Sequence, residues 1–280
     1  MTADPNGAPT GLSHLLVGVD GSPRAEEAAR QGGRIASACG AVLDLVSIVE
    51  TDRPHDTDVE PEAEASLGRA RDVAKASGIE PVARILAGEP EDVLIAEAHQ
   101  RDVDLICLGP DGGLLGGAIR VGRVAKHVLG QAHCSVMLAR AVGATFPTRI
   151  TCGVDGSEAS ARTASLAATI AAATGAELHL LHVVPVFRGR DAEWTLEQDE
   201  ESPPELEPAV RAATEQGIVP VRDMAMGRPE HALVAAARRD RSDLLVVGHR
   251  GVKGVSRVLL GSVSEHCAEH APCSVIVVRP

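Results

Sequence analysis

The stretch from Gly248 to Ser262 has the residue types of an anion cradle. Gly248, Gly251, Gly261 and Ser262 stand in the frame Gly-x2-Gly-x9-Gly-Ser, after the apolar run Leu244–Gly248 and before a helical pattern from Val263. Glycines let the backbone approach a ligand and take positive φ. The Ser262 hydroxyl can cap the helix that follows or donate to a phosphate. Unpaired N–H groups and the helix dipole at that end favour an anion, and Arg250 and Lys253 add positive charge. A second loop of interest, Asp155-Gly156-Ser157, follows another apolar run, Ile150–Val154. Each residue alone has an ordinary reading: glycine at a strand end, serine as a cap, aspartate as a turn former. The spacing of the whole set is what points to a site.

The same frame occurs earlier with altered chemistry. Asp20, Gly109, Gly112 and Gly122 keep the spacing, but Arg123 stands at the Ser262 place, Pro110-Asp111 at His249-Arg250, and Leu114 at Lys253. A carboxylate beside phosphates repels them, and Arg123 either pairs with a phosphate or fills the site itself. The expectation is therefore an asymmetric pair, with the later site the binder.

Other patterns carry less. Gly117-x4-Gly122-Arg123-Val124 lacks the Lys and hydroxyl of a P-loop, and no Gly-x-Gly-x-x-Gly follows a strand. His266, Cys267, His270 and Cys273 resemble a metal cluster, with the histidines at i, i+4. Yet Cys273 opens a strand, and His127 and Gln131 hold the matching earlier places, so a helix end with buried thiols is the simpler reading and no metal is expected. Ser157, Ser262 and Ser264 have no evident His–Asp partners. His249, beside the glycine frame, either assists a water or phosphate or packs. The acidic run Glu197 to Glu207, with Trp194 nearby, reads as a solvated segment.

The elements that must position these loops come from a repeat. Val17-Gly18-Val19-Asp20-Gly21-Ser22 recurs as Cys152-Gly153-Val154-Asp155-Gly156-Ser157, 135 positions on; Gly88-Glu89-Pro90 recurs as Gly227-Arg228-Pro229 and Cys134-Ser135-Val136 as Cys273-Ser274-Val275, 139 positions on. A four-residue insertion therefore falls between about residues 185 and 215. In the second copy strands are expected at Ile150–Val154, Glu177–Val184, Pro220–Asp223, Leu244–Gly248 and Ser274–Val278. They alternate with helices over Glu158–Thr174, a segment ending near Gly217, Pro229–Arg239 and Val263–His270. Such alternation gives a parallel sheet covered on both faces, and ligands bind beyond the carboxyl ends of its strands. The last strands, Ser135–Ala139 and Ser274–Val278, would be exposed apolar edges if unpaired.

Composition narrows the function. In 280 residues, 44% hydrophobic, there is material for two cores, and the net charge of −12 argues against nucleic acid and anionic membrane. Phe146, Phe187 and Trp194 are the only aromatics, too few for a base-stacking platform. No run reaches the ~18 apolar residues of a membrane span. Met1–Thr10 is polar, without the features of a secretory signal. The six scattered cysteines are read as reduced thiols, in the cytoplasm.

The frame Gly248-His249-Arg250-Gly251 with Leu260-Gly261-Ser262-Val263-Ser264, inside this repeat, closely resembles the universal stress protein family, over nearly the whole chain and twice. The resemblance implies two tandem Rossmann-like domains, of the adenine nucleotide alpha hydrolase-like kind. Each is a five-stranded parallel sheet of order 3-2-1-4-5, pairing through its last strand into a pseudo-dimer within the chain. The expected partition is a tail over 1–11, domains over 12–140 and 149–280, and a linker over 141–148. The resemblance assigns Asp155 and Val183 to the adenosine part and Gly248, Gly251, Gly261, Ser262 and Val263 to ribose and phosphates. Arg250 and Lys253 are secondary candidates. So are Asp20, Ile48 (at the Val183 place), Gly109, Gly112, Gly122 and Arg123 in the first copy. It implies ATP or a related adenine nucleotide with Mg²⁺ held through the phosphates, a stress-sensing role, and the segment before Glu207 as a lid. An unidentified protein partner and association of two chains are left open. The alternatives are a nucleotide-independent interaction module and a slow ATPase.

Overall fold

The alternating apolar runs become strands and the alanine-rich stretches become helices. The computed structural model describes residues 11–50, 59–110, 121–185, 203–249 and 260–279, and the backbone of 114–115 and 118–119. The first copy contains β1 (His14–Val19), α1 (Pro23–Cys39), β2 (Val42–Val49), α2 (Val59–Lys75), β3 (Val82–Ala87), α3 (Pro90–Gln100) and β4 (Leu105–Leu108). A small hairpin follows, β5 (Leu114–Leu115) with β6 (Ala118–Ile119), then α4 (Arg123–Gln131) and β7 (Ser135–Leu138). The second copy contains β8 (Arg149–Val154), α5 (Glu158–Thr174), β9 (Glu177–Val184), a 3-10 turn at Pro204–Leu206 and α6 (Glu207–Glu215). It continues with β10 (Val221–Met226), α7 (Pro229–Arg239), β11 (Leu244–Gly248), α8 (Ser262–His270) and β12 (Ser274–Val278).

The strands form one ten-stranded sheet, β10-β9-β8-β11-β12-β7-β4-β1-β2-β3. Each half has the expected 3-2-1-4-5 order and is parallel throughout; only β12 against β7 is antiparallel, with Ile276 opposite Met137. The two expected sheets are thus fused. α1, α2, α5 and α6 cover one face over a core that includes Leu15, Val17, Ile35, Ile150, Ala167 and Ile276. α3, α4, α7 and α8 cover the other over Leu16, Ile106, Val128, Leu245 and Val275. Small residues allow close packing: a Cβ on Gly33 of α1 would lie 3.2 Å from the Ala74 backbone of α2.

The same carboxylate latches the first strand of each copy. Asp104 Oδ2 accepts from the Ser13 and His14 N–H groups at 2.7 and 3.0 Å, and Asp243 accepts from Thr148 and Arg149 at 2.9 and 3.2 Å. The seam between copies is polar at one point. Buried Arg140 donates to the carbonyls of Cys273, at 3.1 Å, and Ala268. Ser274 Oγ accepts from the Arg140 N–H at 2.9 Å and donates to Gln31 Oε1 of α1 at 2.7 Å. Burial pulls the Arg140 guanidinium down to about 10, so it stays charged at neutral pH. Among the described residues no helix is long and apolar enough to cross a membrane.

Arg140→Ala strands two buried carbonyls and removes a charge-assisted contact. It should cost about 3 kcal/mol, read as a lowered denaturation midpoint in urea. An unchanged midpoint would mean that the strand pairing alone holds the seam.

Candidate functional site

At the carboxyl end of the second half, β8 leaves the sheet through Asp155-Gly156-Ser157. Asp155 Oδ1 accepts from the Ser157 N–H at 3.1 Å and its hydroxyl at 2.6 Å. Ser157 in turn caps α5 by accepting from the Ser160 N–H at 3.1 Å. Gly156 has φ +81°, a conformation that side chains rarely adopt, and a Cβ there would approach Glu205 at 3.2 Å. The turn is therefore rigid and aims Asp155 at the strand ends.

Asp155, Val183, Gly248 and Val263 line one cavity of about 140 Å³, with Val154, Leu181, Leu233 and Val247. Its described walls are mostly aliphatic, and among the described residues Asp155 is the only charged one. The volume is below the ~300 Å³ of a whole ligand pocket and suits one flat ring. Gly261 and Ser262 stand at the start of α8. The cap of that helix is Gly261, with no side-chain bond, so Ser262 is the first helical residue and not the cap; its side chain is exposed. Ser264 does the local tying instead, donating to the carbonyls of Gly261 at 2.8 Å and His249 at 3.1 Å. His249 is buried, and its N–H donates to the Val278 carbonyl at 2.8 Å. It is not among the described residues that line the cavity. Arg250, Gly251 and Lys253 lie outside the described residues, as do Trp194 and the acidic run up to residue 202.

The first copy builds the same corner. Asp20, Ile48, Gly109 and Val124 line a cavity of about 340 Å³. Its wall runs on to Glu62, Ala63 and Ser66 of α2; part of the corresponding stretch of the second copy lies outside the described residues. The larger cavity in the first copy was not expected from the sequence. Its chemistry is different: among the described residues its charged lining is Asp20, Glu50 and Glu62. Gly122 caps α4 and Arg123 begins it, but Arg123 is bound to Glu91 and lies 3.8 Å from Glu89. Arg123 thus pairs with neighbouring carboxylates, an arrangement that neither sequence reading named. Gly112 and Asp111 lie outside the described residues, and the side chain of Leu114 is likewise undescribed.

Sequence reasoning missed the wall contributed by α7, where Pro229 and Leu233 face the cavity, as Pro90 and Leu94 do in the first copy. The repeated Gly-x-Pro at the start of both helices was the available signal. It also missed the exchange of charge at the mouth: Glu91 pairs with Arg123, but its counterpart Glu230 pairs with Arg228 at 2.6 Å. The four residues of the expected metal-like pattern separate. Cys267 and Cys273 are buried, whereas His266 and His270 stack on each other at 4.1 Å.

The chain matches the universal stress protein family over residues 11–140 and again over 147–279, and it belongs to that family. A universal stress protein of Mycobacterium tuberculosis strain H37Rv is 29% identical over 293 residues, covering 95% of this chain and 96% of that one. A shorter one, from Methanocaldococcus jannaschii, is 35% identical over 144 residues, covering 49% of this chain and 85% of its own. The crystal structure of a universal stress protein from Archaeoglobus fulgidus superposes with a TM-score of 0.74 at 22% identity. It covers 95% of this chain and 98% of that one, so the fold is shared from end to end.

Burial pushes the thiols of Cys134, Cys267 and Cys273 up to about 12, and those of Cys107 and Cys152 higher still. Only Cys39 is partly exposed. At pH 8 the folded protein should release one equivalent of chromophore quickly with a disulfide thiol reagent, and six after denaturation. Rapid release of three or more from the folded protein would contradict this burial.

Proposed function

We propose that the second copy binds ATP or a related adenine nucleotide and that the chain acts as a stress-response sensor through its bound and empty states. One observation carries the reading: Asp155, Val183, Gly248 and Val263, distant in sequence, share one aliphatic slot beside the start of α8, where Ser262 is exposed. An aliphatic slot suits a purine ring. The first N–H groups of α8 have no intrahelical acceptor and favour a phosphate. The resemblance drawn from the sequence assigns the same frame, with Gly251, to members that bind ATP. Arg250 and Lys253 would add charge at the phosphates. Among the described residues the cavity offers one carboxylate, Asp155, already engaged by Ser157. Mg²⁺ would therefore be held chiefly through the phosphate oxygens.

The first copy is the weaker host on electrostatic grounds. Asp20 and Glu62 line its cavity among the described residues, and a unit negative charge at about 4 Å opposes a phosphate charge by ~1 kcal/mol even at the dielectric of water. Arg123, the compensating cation, is taken up by Glu91 and Glu89. We assign these two roles to units divided at residues 141–148, with nucleotide exchange in the second read by a partner protein.

The test is ATP affinity in matched variants. Asp155→Ala and Ser262→Arg, which imports the first copy's residue, should each weaken binding at least tenfold; Asp20→Ala should change it less than twofold. Loss of binding in Asp20→Ala with Asp155→Ala unaffected would reverse the assignment.

A further inference from the structure

The two copies also exchange polar groups at the amino ends of their strands, away from either cavity. In the first copy, Asp44 of β2 is almost fully buried under cations from its own chain. Arg84 of β3 donates to Asp44 Oδ2 at 2.8 Å, Arg101 at the end of α3 lies 3.6 Å from it, and His14 Nε2 lies at 3.0 Å. Glu97 binds both arginines. The corresponding residues of the second copy are His179 for Asp44, Asp223 for Arg84, Asp240 for Arg101 and Arg149 for His14. The backbone places are kept: Arg84 and Asp223 both lie two residues along from the register partner of the facing strand residue, and Arg101 and Asp240 both end their helices. Where the first copy brings two guanidinium groups onto a carboxylate, the second brings two carboxylates onto an imidazole.

These three side chains already converge. His179 Nδ1 is 3.1 Å from Asp223 Oδ2, and His179, Asp223 and Asp240 each offer a ligand atom within 4.8 Å of the others. His179 is 13% exposed, Asp240 17% and Asp223 32%, so two of the donors are largely shielded and the third opens to solvent. Of the nearby cations, Arg149 is placed to the side and Arg239 bears on Asp240. Arg149 donates to the Asp240 carbonyl at 2.6 Å and pairs with Glu177 at 2.8 Å. Arg239 clasps both carboxylate oxygens of Asp240 at 2.7 Å, but from the outside: it is 63% exposed and 4.0 Å from Asp223.

We propose that His179, Asp223 and Asp240 form a binding site for a divalent first-row transition cation of the Zn²⁺ class, present in the second copy alone. One imidazole nitrogen and two carboxylate oxygens are a borderline donor set. It suits Zn²⁺ better than Mg²⁺ or Ca²⁺, which prefer oxygen throughout. With bonds of about 2.0–2.2 Å, tetrahedral ligand atoms lie about 3.3–3.6 Å apart, so closing on the ion takes a contraction of little over about 1 Å. The metal would take the role that Arg84 has in the first copy and would tie the edge strand β10 to β9 and the end of α7. Without it, Arg239 serves as the stand-in cation on Asp240, so the ion and Arg239 compete.

Chelator-treated, full-length protein titrated with Zn²⁺ by calorimetry tests this, with circular dichroism to establish that each variant is folded. One high-affinity ion per chain is expected. Asp223→Asn and His179→Ala should each weaken it at least tenfold, and the pair His179→Asp with Asp223→Arg, the first copy's arrangement, should remove it. Arg239→Gln should tighten binding several-fold, a gain that a purely structural cluster would not give. The helical pair His266 and His270, with His231 edge-on to His266 at 4.6 Å, is the competing place. Binding that persists in Asp223→Asn and is lost in His266→Ala with His270→Ala overturns the proposal, as does the absence of Zn²⁺ binding or the failure of Arg239→Gln to tighten it.

Discussion

The antiparallel pairing of β12 with β7 is the constraint on which the rest of the structure depends. A five-stranded parallel unit of this order ends in a short, apolar strand with one unpaired side. Left open, that side is an invitation to self-association. Here each copy closes the edge of the other, and Val136, Met137 and Leu138 lie opposite Val277, Ile276 and Val275. The core above α1 and α5 then continues across the seam. Burying Arg140 at this junction is tolerable because chain carbonyls accept its protons and Ser274 and Gln31 fix its backbone. A buried cation in that setting also specifies register, since any slip would leave it without partners.

The seam places the two candidate cavities in one body while leaving their chemistry independent. Sheet order and the glycine turns at Gly21 and Gly156, both at positive φ, set the shape of each corner. Charge then separates them. Among the described residues, the first copy lines its cavity with three carboxylates and engages Arg123 internally, whereas the second has one carboxylate there and an exposed hydroxyl at the helix start. The same separation recurs at the other end of the sheet, where buried Asp44 with its arginines becomes His179 with Asp223 and Asp240. Duplicated backbones with exchanged polar groups are a direct route to two specificities in one chain.

Much of the fold was legible because its signals are local. The helix over Glu158–Thr174 and the strands Glu177–Val184, Leu244–Gly248 and Ser274–Val278 have the bounds expected from apolar runs and glycine stops. Strand β10 runs three residues further than expected, to Met226, since side chains on an edge strand alternate weakly and leave no clear end. Ser262 looked equally like a cap and a ligand; its role turned on backbone geometry, which places Gly261 at the cap. The salt bridge of Arg123 with Glu91 and the approach of His179 to Asp223 and Asp240 each join residues more than thirty positions apart. No local pattern encodes such pairings; they became visible once the sheet register was known.

The most direct test of the account is the number of nucleotides bound per chain. Nucleotide-stripped, folded protein titrated calorimetrically with ATP and Mg²⁺ should bind one equivalent, lost on Asp155→Ala. Two equivalents would show that the carboxylates facing the first cavity do not exclude a triphosphate. No binding would contradict the assignment of the second copy as a nucleotide site and would leave the glycine frame a matter of backbone geometry alone.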